Sequence, residues 1–218
     1  MAPFASIWTW PNNPRLLKTL AAAKLNGLEI EFPPFTFGTT NVDPAFRAKF
    51  TFGKVPVLET HGDSPLYLAE SSAIAHFVAD SGPAREQLLG ADPVERAKIQ
   101  QWIMHSETEL GVYTTTGVYP KLGYRPYSAE EETKAIAGMD RLMAVIEKIL
   151  SEQEWLVITK AGKLSMADLA VASCLHWALK LWLDKEWRAK WPKTMEWFKK
   201  TIESEGVKEV WEPATFLN

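Results

Sequence analysis

Apolar residues recur along this chain with two different periods, and the change falls near residue 82. The early runs are short. Phe4-Ala5-Ser6-Ile7-Trp8-Thr9-Trp10 is rich in strand formers without clean polar alternation, the pattern of a strand covered on both faces. Pro11-Asn12-Asn13-Pro14 breaks it and opens a helix. Asn13 is a natural cap and Pro14 is tolerated in a first turn; Leu16, Leu17, Leu20 and Ala23 follow at helical spacing, and Gly27 suits a C-terminal cap. Leu28-Glu29-Ile30-Glu31-Phe32 alternates with period two and predicts a second strand. Lys54-Val55-Pro56-Val57-Leu58-Glu59 and Leu66-Tyr67-Leu68-Ala69, on either side of the turn His61-Gly62-Asp63-Ser64-Pro65, predict a hairpin. A helix is then entered at Glu70-Ser71-Ser72.

Ser81-Gly82-Pro83 ends this regime, and from Pro93 onward the pattern is helical. Ile99, Trp102, Ile103 and Leu110 lie on one stripe; Ile136, Met139, Leu142, Met143, Ile146 and Leu150 form another. Ser165-Met166-Ala167-Asp168 has capping-box spacing, with Asp in place of Glu or Gln, and Leu169, Ala172, Leu175 and Leu179 continue as a buried helix. From Trp182 to Trp211, charged residues alternate with tryptophans, which predicts short amphipathic helices over the bundle. Two domains are expected: 1–82, α/β with the element order of a thioredoxin-like domain, and 91–218, all-α.

Composition narrows the function. The 218 residues, 46% hydrophobic, are ample for a core; a net charge of −3 with both signs interspersed does not suggest a nucleic-acid groove. No run approaches the roughly 18 apolar residues of a membrane span, and the N-terminus lacks a basic stretch followed by an apolar one. Cys174, the one cysteine, makes no internal disulfide, so a reducing compartment, the cytoplasm, is expected. It lies in an apolar helical run and reads as an inert thiol. His61, His76 and His176 lack metal-ligand spacing, and no metal is expected. Asp168 reads as a cap rather than a catalytic acid.

One stretch carries chemistry. Pro56 has no amide hydrogen, so the backbone at Val55 is poorly placed to continue a sheet ladder and is free for another partner. Glu70-Ser71-Ser72 sets a carboxylate, hydroxyls and unpaired amides at a helix start, where a ligand carboxylate and an ammonium can both be held. A peptide-like ligand fits these two grips.

The Lys54-Val55-Pro56-Val57-Leu58 and Glu70-Ser71-Ser72-Ala73-Ile74 blocks resemble the glutathione-binding half of cytosolic glutathione transferases. Phe35-Thr36-Phe37-Gly38-Thr39-Thr40-Asn41, Pro44-Ala45-Phe46-Arg47-Ala48-Lys49-Phe50 and Leu164-Ser165-Met166-Ala167-Asp168-Leu169-Ala170 extend the likeness. It is to the transferase-like domain of the gamma subunit of elongation factor 1 and to related fungal transferases, over nearly the whole chain. The resemblance implies that Ser71 holds the γ-glutamyl carboxylate and Glu70 its ammonium. It further implies that Val55 pairs with the cysteinyl unit beside a cis Pro56, that Asn41 and Lys54 hold the glycine carboxylate, and that the chain is a homodimer. It places a hydrophobic second substrate between domains, against a helix carrying Trp102, His105, Ser106 and Glu109.

Family members lower the bound thiol's pKa by roughly two units, about 2–3 kcal/mol, with a Tyr, Ser or Cys near the end of the first strand. Here that segment has none of the three, and Trp8 stands where elongation-factor relatives have Tyr. Asn12, Asn13 and Arg15 remain as thiolate-stabilising candidates. A helix N-terminus contributes up to ~2 kcal/mol and an amide donor about 1–2 kcal/mol; alternatively Asn13 is only a cap and Asn12 a turn residue. The implied function is glutathione addition to a hydrophobic electrophile, as conjugation or as addition–elimination isomerisation of a conjugated alkene, in fungal specialised metabolism. The other reading is a non-catalytic interaction module like that of the elongation factor. The chain's end at Asn218, without that subunit's large C-terminal region, favours the enzyme.

Overall fold

The computed structural model describes residues 3–211 and 216–218. Strand β1 (Ala5–Trp8) runs parallel to β2 (Ile30–Glu31) and antiparallel to β3 (Val57–Thr60), which pairs antiparallel with β4 (Tyr67–Ala69). The sheet order is therefore β2-β1-β3-β4. Alternation along β1 splits its side chains between two faces. Ala5 and Ile7 are fully buried with Leu58 and Ile74, beneath the packed helices α1 (Leu17–Asn26) and α3 (Ser71–Asp80). On the other side Trp8 packs with Phe46 of α2 (Pro44–Lys49), Phe50 and Val57 in a second, smaller core. This is a thioredoxin-like domain. β2 is shorter than the alternation at 28–32 predicts, because Pro33 and Pro34 follow at once and supply no ladder donors.

The loop after β1 is built as its sequence predicts. Asn13 Oδ1 accepts from the Arg15 amide at 3.1 Å, Pro14–Leu16 makes a 3₁₀ turn, and α1 follows. Gly27 ends α1 at φ 65°, left-handed as a C-terminal cap requires.

The stretch between the domains holds a short helix, α4 (Arg85–Leu89). Beyond it lie α5 (Pro93–His105), a π-helical turn Ser106–Leu110, α6 (Gly111–Lys121), α7 (Ala129–Glu152), α8 (Met166–Leu181), α9 (Lys185–Ala189) and α10 (Pro192–Ile202). α8 is buried through most of its length and touches α5, α6, α10 and, across the domains, α1. The capping box at Ser165 and Asp168 is present, and Asp168 is fully buried. Three late tryptophans each donate an indole N–H to a carboxylate: Trp182 to Glu132, Trp187 to Asp140 and Trp197 to Asp168.

Tyr113 and Tyr119 stand on α6 rather than in the loop that their prolines suggest. Pro120, in its last turn, has no N–H for the Thr116 carbonyl. The Arg125 guanidinium donates to that oxygen instead, at 3.1 Å, so the helix survives its proline.

Candidate functional site

Three separate segments meet in one cavity of about 410 Å³. The loop after β1 supplies Trp10 and Arg15, the entry to β3 supplies Lys54, Val55 and Pro56, and the start of α3 supplies Glu70 and Ser71. Phe37 and Phe52 form aromatic walls, and Tyr119 of α6 reaches in from the helical domain. The Val55-Pro56 peptide bond is cis. Glu70 sits at φ 70°, ψ 117°, outside the regions open to most L-residues, with its backbone at the mouth of α3. Such a conformation costs on the order of 1–3 kcal/mol and persists where the surroundings enforce it.

Behind the cavity lies a buried polar cluster that links the domains. Lys18 of α1 is 2% exposed; its Nζ donates to Ser71 Oγ at 3.0 Å and to Glu107 Oε1 at 2.9 Å. Ser72 Oγ donates to the same Glu107 oxygen at 2.5 Å, and Arg15 Nη1 lies 3.9 Å from Glu107 Oε2. Glu107 belongs to the π-helical turn, a backbone irregularity common at functional sites. Burial pushes the Glu107 carboxyl up, but the Lys18 ammonium, the Ser72 hydroxyl and the Arg15 guanidinium outweigh it. They hold the carboxyl below its ordinary 4.5. A carboxyl with a lower pKa folded than unfolded stabilises the fold above its unfolded value, and that contribution is lost as pH falls through the folded value. Urea unfolding from about pH 7 to about pH 3 is expected to show this acid-side loss, and Glu107→Gln to flatten it.

The candidates from sequence divide into two groups. Arg15, Lys54, Val55, Pro56, Glu70 and Ser71 line the same cavity. Asn41 does not: its Oδ1 accepts from Gly38 N at 2.6 Å and its Nδ2 donates to Gly53 O at 3.0 Å. The amide fastens the loop that presents Lys54 and does not line the cavity. Gly53, at φ 58°, is the residue that fits there, since a Cβ would collide with Arg47 and the Asn41 carbonyl. Asn13 is likewise committed, accepting from Arg15 N and donating to Thr9 Oγ1 at 2.9 Å. Asn12, exposed at φ 58°, is the turn residue and lines a different cavity.

The second-substrate residues also stand elsewhere. Ser106 is buried, its Oγ donating to Ile103 O; Trp102 and His105 have rings 5.7 Å apart. Nδ1 of His105 pairs at 3.2 Å with Glu109, which accepts from Arg141 of α7 at 2.9 Å. None of the four lines this cavity or the larger one beyond Trp10. The π-helical turn carries Glu107, whose carboxylate meets Lys18 of α1 and Ser72 of α3. The helical-domain walls come from α6 and α8 instead, where Tyr119 and Trp177 pack edge to face at 5.8 Å.

That larger cavity, about 610 Å³, shares Trp10 with the first. Phe32, Phe35, Leu17, Leu20, Trp177 and Leu181 make it mainly apolar. Cys174 is half-buried, its Sγ donating to Ser106 O, and burial pushes its thiol up to about 11, so it is no nucleophile at neutral pH. No group of His, Cys, Asp and Glu among the described residues is arranged to hold a metal ion, and no helix among them is long and apolar enough to cross a membrane.

Models for the glutathione S-transferase N-terminal and C-terminal domains match residues 5–80 and 112–205. Over all 218 residues the chain is 43% identical to a glutathione S-transferase-like protein, LUC7, of a Fusarium species, covering 97% of it. The chain belongs to the glutathione S-transferase family. Elongation factor 1-gamma of Carassius auratus is 32% identical over 197 residues, 88% of this chain but 42% of that protein. Among solved structures, the glutathione transferase URE2P6 of Phanerochaete chrysosporium, crystallised with oxidized glutathione, superposes with a TM-score of 0.84. It is 22% identical, covers 96% of each chain and so speaks to the fold alone.

Two residues of the transferase fold here escaped sequence reasoning. Lys18 and Glu107 belong to none of the motifs. Lys18 does interrupt the apolar face of α1 next to Leu17, Leu20 and Ala21, which was the available signal.

Proposed function

We propose that the chain binds glutathione in the 410 Å³ cavity and uses its thiolate to attack a hydrophobic electrophile. One observation carries the reading: Arg15, Lys54 and Glu70 line a single cavity with Ser71 and the free backbone edge at Val55. Lys54 and Glu70 complement the glycine carboxylate and the ammonium of the tripeptide, and Ser71 at the mouth of α3 offers a hydroxyl and an amide to its other carboxylate. Ser71 receives the γ-glutamyl carboxylate, Glu70 the ammonium and Lys54 the glycine carboxylate, with Val55 pairing to the cysteinyl unit. Arg15, the cation nearest the start of the first helix, stabilises the sulfur as thiolate and replaces Asn12 and Asn13 in that role.

The electrophile enters along Trp10 and Tyr119, with the apolar cavity beyond Trp10 taking its bulk. Bound thiolate adds to the β-carbon of a conjugated carbonyl: a C–S bond forms and the alkene electrons move to the oxygen. Protonation at the α-carbon gives the conjugate. Rotation about the former double bond and loss of thiolate instead returns glutathione and an isomerised alkene. Incubating the protein with glutathione and a polyunsaturated enone, then weighing the product, separates the outcomes: conjugation adds the mass of glutathione and isomerisation adds nothing.

Glu70→Gly is expected to leave the urea midpoint within about 1 kcal/mol of wild type, because glycine relieves the backbone at φ 70°. The same change is expected to weaken glutathione binding about tenfold or more through the lost carboxylate. A second copy of the chain is the proposed partner. Leu66, Leu68, Phe77 and Met104 form an open apolar face across β4, α3 and α5, joining the α/β and helical domains on one surface. Sedimentation at micromolar concentration is expected to report a dimer, and Met104→Glu a monomer.

A further inference from the structure

Resting on the glutathione reading above, we propose that Lys18 is a positioning residue that commits the Ser71 hydroxyl to donate to the ligand's γ-glutamyl carboxylate, with Glu107 of the helical domain holding Lys18 in place. An ammonium only donates. With Lys18 Nζ 3.0 Å from Ser71 Oγ, the serine oxygen is the acceptor in that contact. One lone pair of the hydroxyl is thereby spent on the ammonium, which leaves its hydrogen to donate into the cavity that Ser71 lines. A serine without this neighbour is free to present either a hydrogen or a lone pair, and so to accept an amide as readily as a carboxylate.

The cluster's own geometry holds Lys18 rather than merely tolerating it. The ammonium is buried and its charge is met by Glu107 at 2.9 Å, a carboxylate that Ser72 and Arg15 also engage. Ser71 and Arg15 line the ligand cavity and Ser72 follows Ser71 on α3, whereas Glu107 comes from the π-helical turn of the other domain. Ligand polarity and domain contact thus share one pair of charges.

The test compares glutathione with its analogue amidated at the γ-glutamyl α-carboxyl, titrated against wild type and Lys18→Met. Wild type is expected to prefer glutathione by about thirtyfold, and Lys18→Met by less than about threefold, with the loss falling on glutathione and the amide bound as before. Lys18→Arg, which keeps a donor-only cation, restores most of the preference. Adding Ser71→Ala to Lys18→Met costs little more. If Lys18→Met is unfolded, the charge-balanced pair Lys18→Met with Glu107→Gln takes its place in the same comparison. Equal weakening of both ligands, with the preference kept, overturns the proposal and leaves the glutathione site standing. Failure of wild type to bind glutathione removes the site and the proposal together.

Discussion

Replacing Asp168 with alanine is expected to cost about 3–5 kcal/mol of folding stability, the largest effect of any single change considered for this chain. Asp168 is fully buried and accepts from Leu156 N at 3.0 Å, Ser165 N at 2.9 Å, Ser165 Oγ at 3.2 Å and Trp197 Nε1 at 2.9 Å. It ties the segment before α8 to that helix's first turn and to α10. Alanine strands three buried N–H donors at once, and each unmet donor costs about 1–3 kcal/mol. Burial pushes the carboxyl up despite these bonds, so its charge is itself expensive. Asp168→Asn keeps a carbonyl oxygen at lower desolvation cost and is expected to lose less than alanine. Urea unfolding measures both. A loss under about 1 kcal/mol for alanine would mean the network holds nothing.

Arg15→Met is expected to show the largest functional effect. The guanidinium belongs to the 3₁₀ turn before α1 and lines the cavity, and an opposite charge within reach shifts a pKa by about 1–3 units. Removing it raises the bound thiol's pKa by about one to two units, so kcat/KM at neutral pH falls about ten- to a hundredfold. The deficit shrinks as pH rises past the mutant's thiol pKa, because thiolate then forms without help. Asn13→Ala is the contrast. Its amide caps the 3₁₀ turn, so it is expected to lose about 1 kcal/mol of stability while the pH–rate profile keeps its midpoint. A profile that moves with Asn13 and not with Arg15 would reverse the assignment.

Local signals were legible wherever one segment fixes its own geometry. The cap at Asn13, the left-handed Gly27, the capping box at Ser165 and the strand covered on both faces all follow from residues within a few positions of one another. That Val55-Pro56 and Glu70-Ser71 would share one cavity was likewise marked by two short motifs. Pairings across the domains were not. Lys18 meets Glu107 across 89 residues, and no periodicity announces it. The family resemblance put Trp102, His105, Ser106 and Glu109 against the second substrate, and none of the four lines the two cavities that share Trp10. The π-helical turn that carries Glu107 is not announced either, since its sequence, Ser106-Glu107-Thr108-Glu109-Leu110, carries no distinguishing residue. Asn41, whose type suits a carboxylate, bonds within its own loop, to Gly38 and Gly53, which no local motif announces.

The reading of this molecule depends on whether the cavity lined by Arg15, Lys54 and Glu70 takes glutathione with the sulfur ionised. Ultraviolet difference titration at neutral pH, following thiolate absorbance as glutathione is added, tests that directly. A saturating rise approaching one thiolate per chain is the predicted result; no rise at any concentration would contradict it.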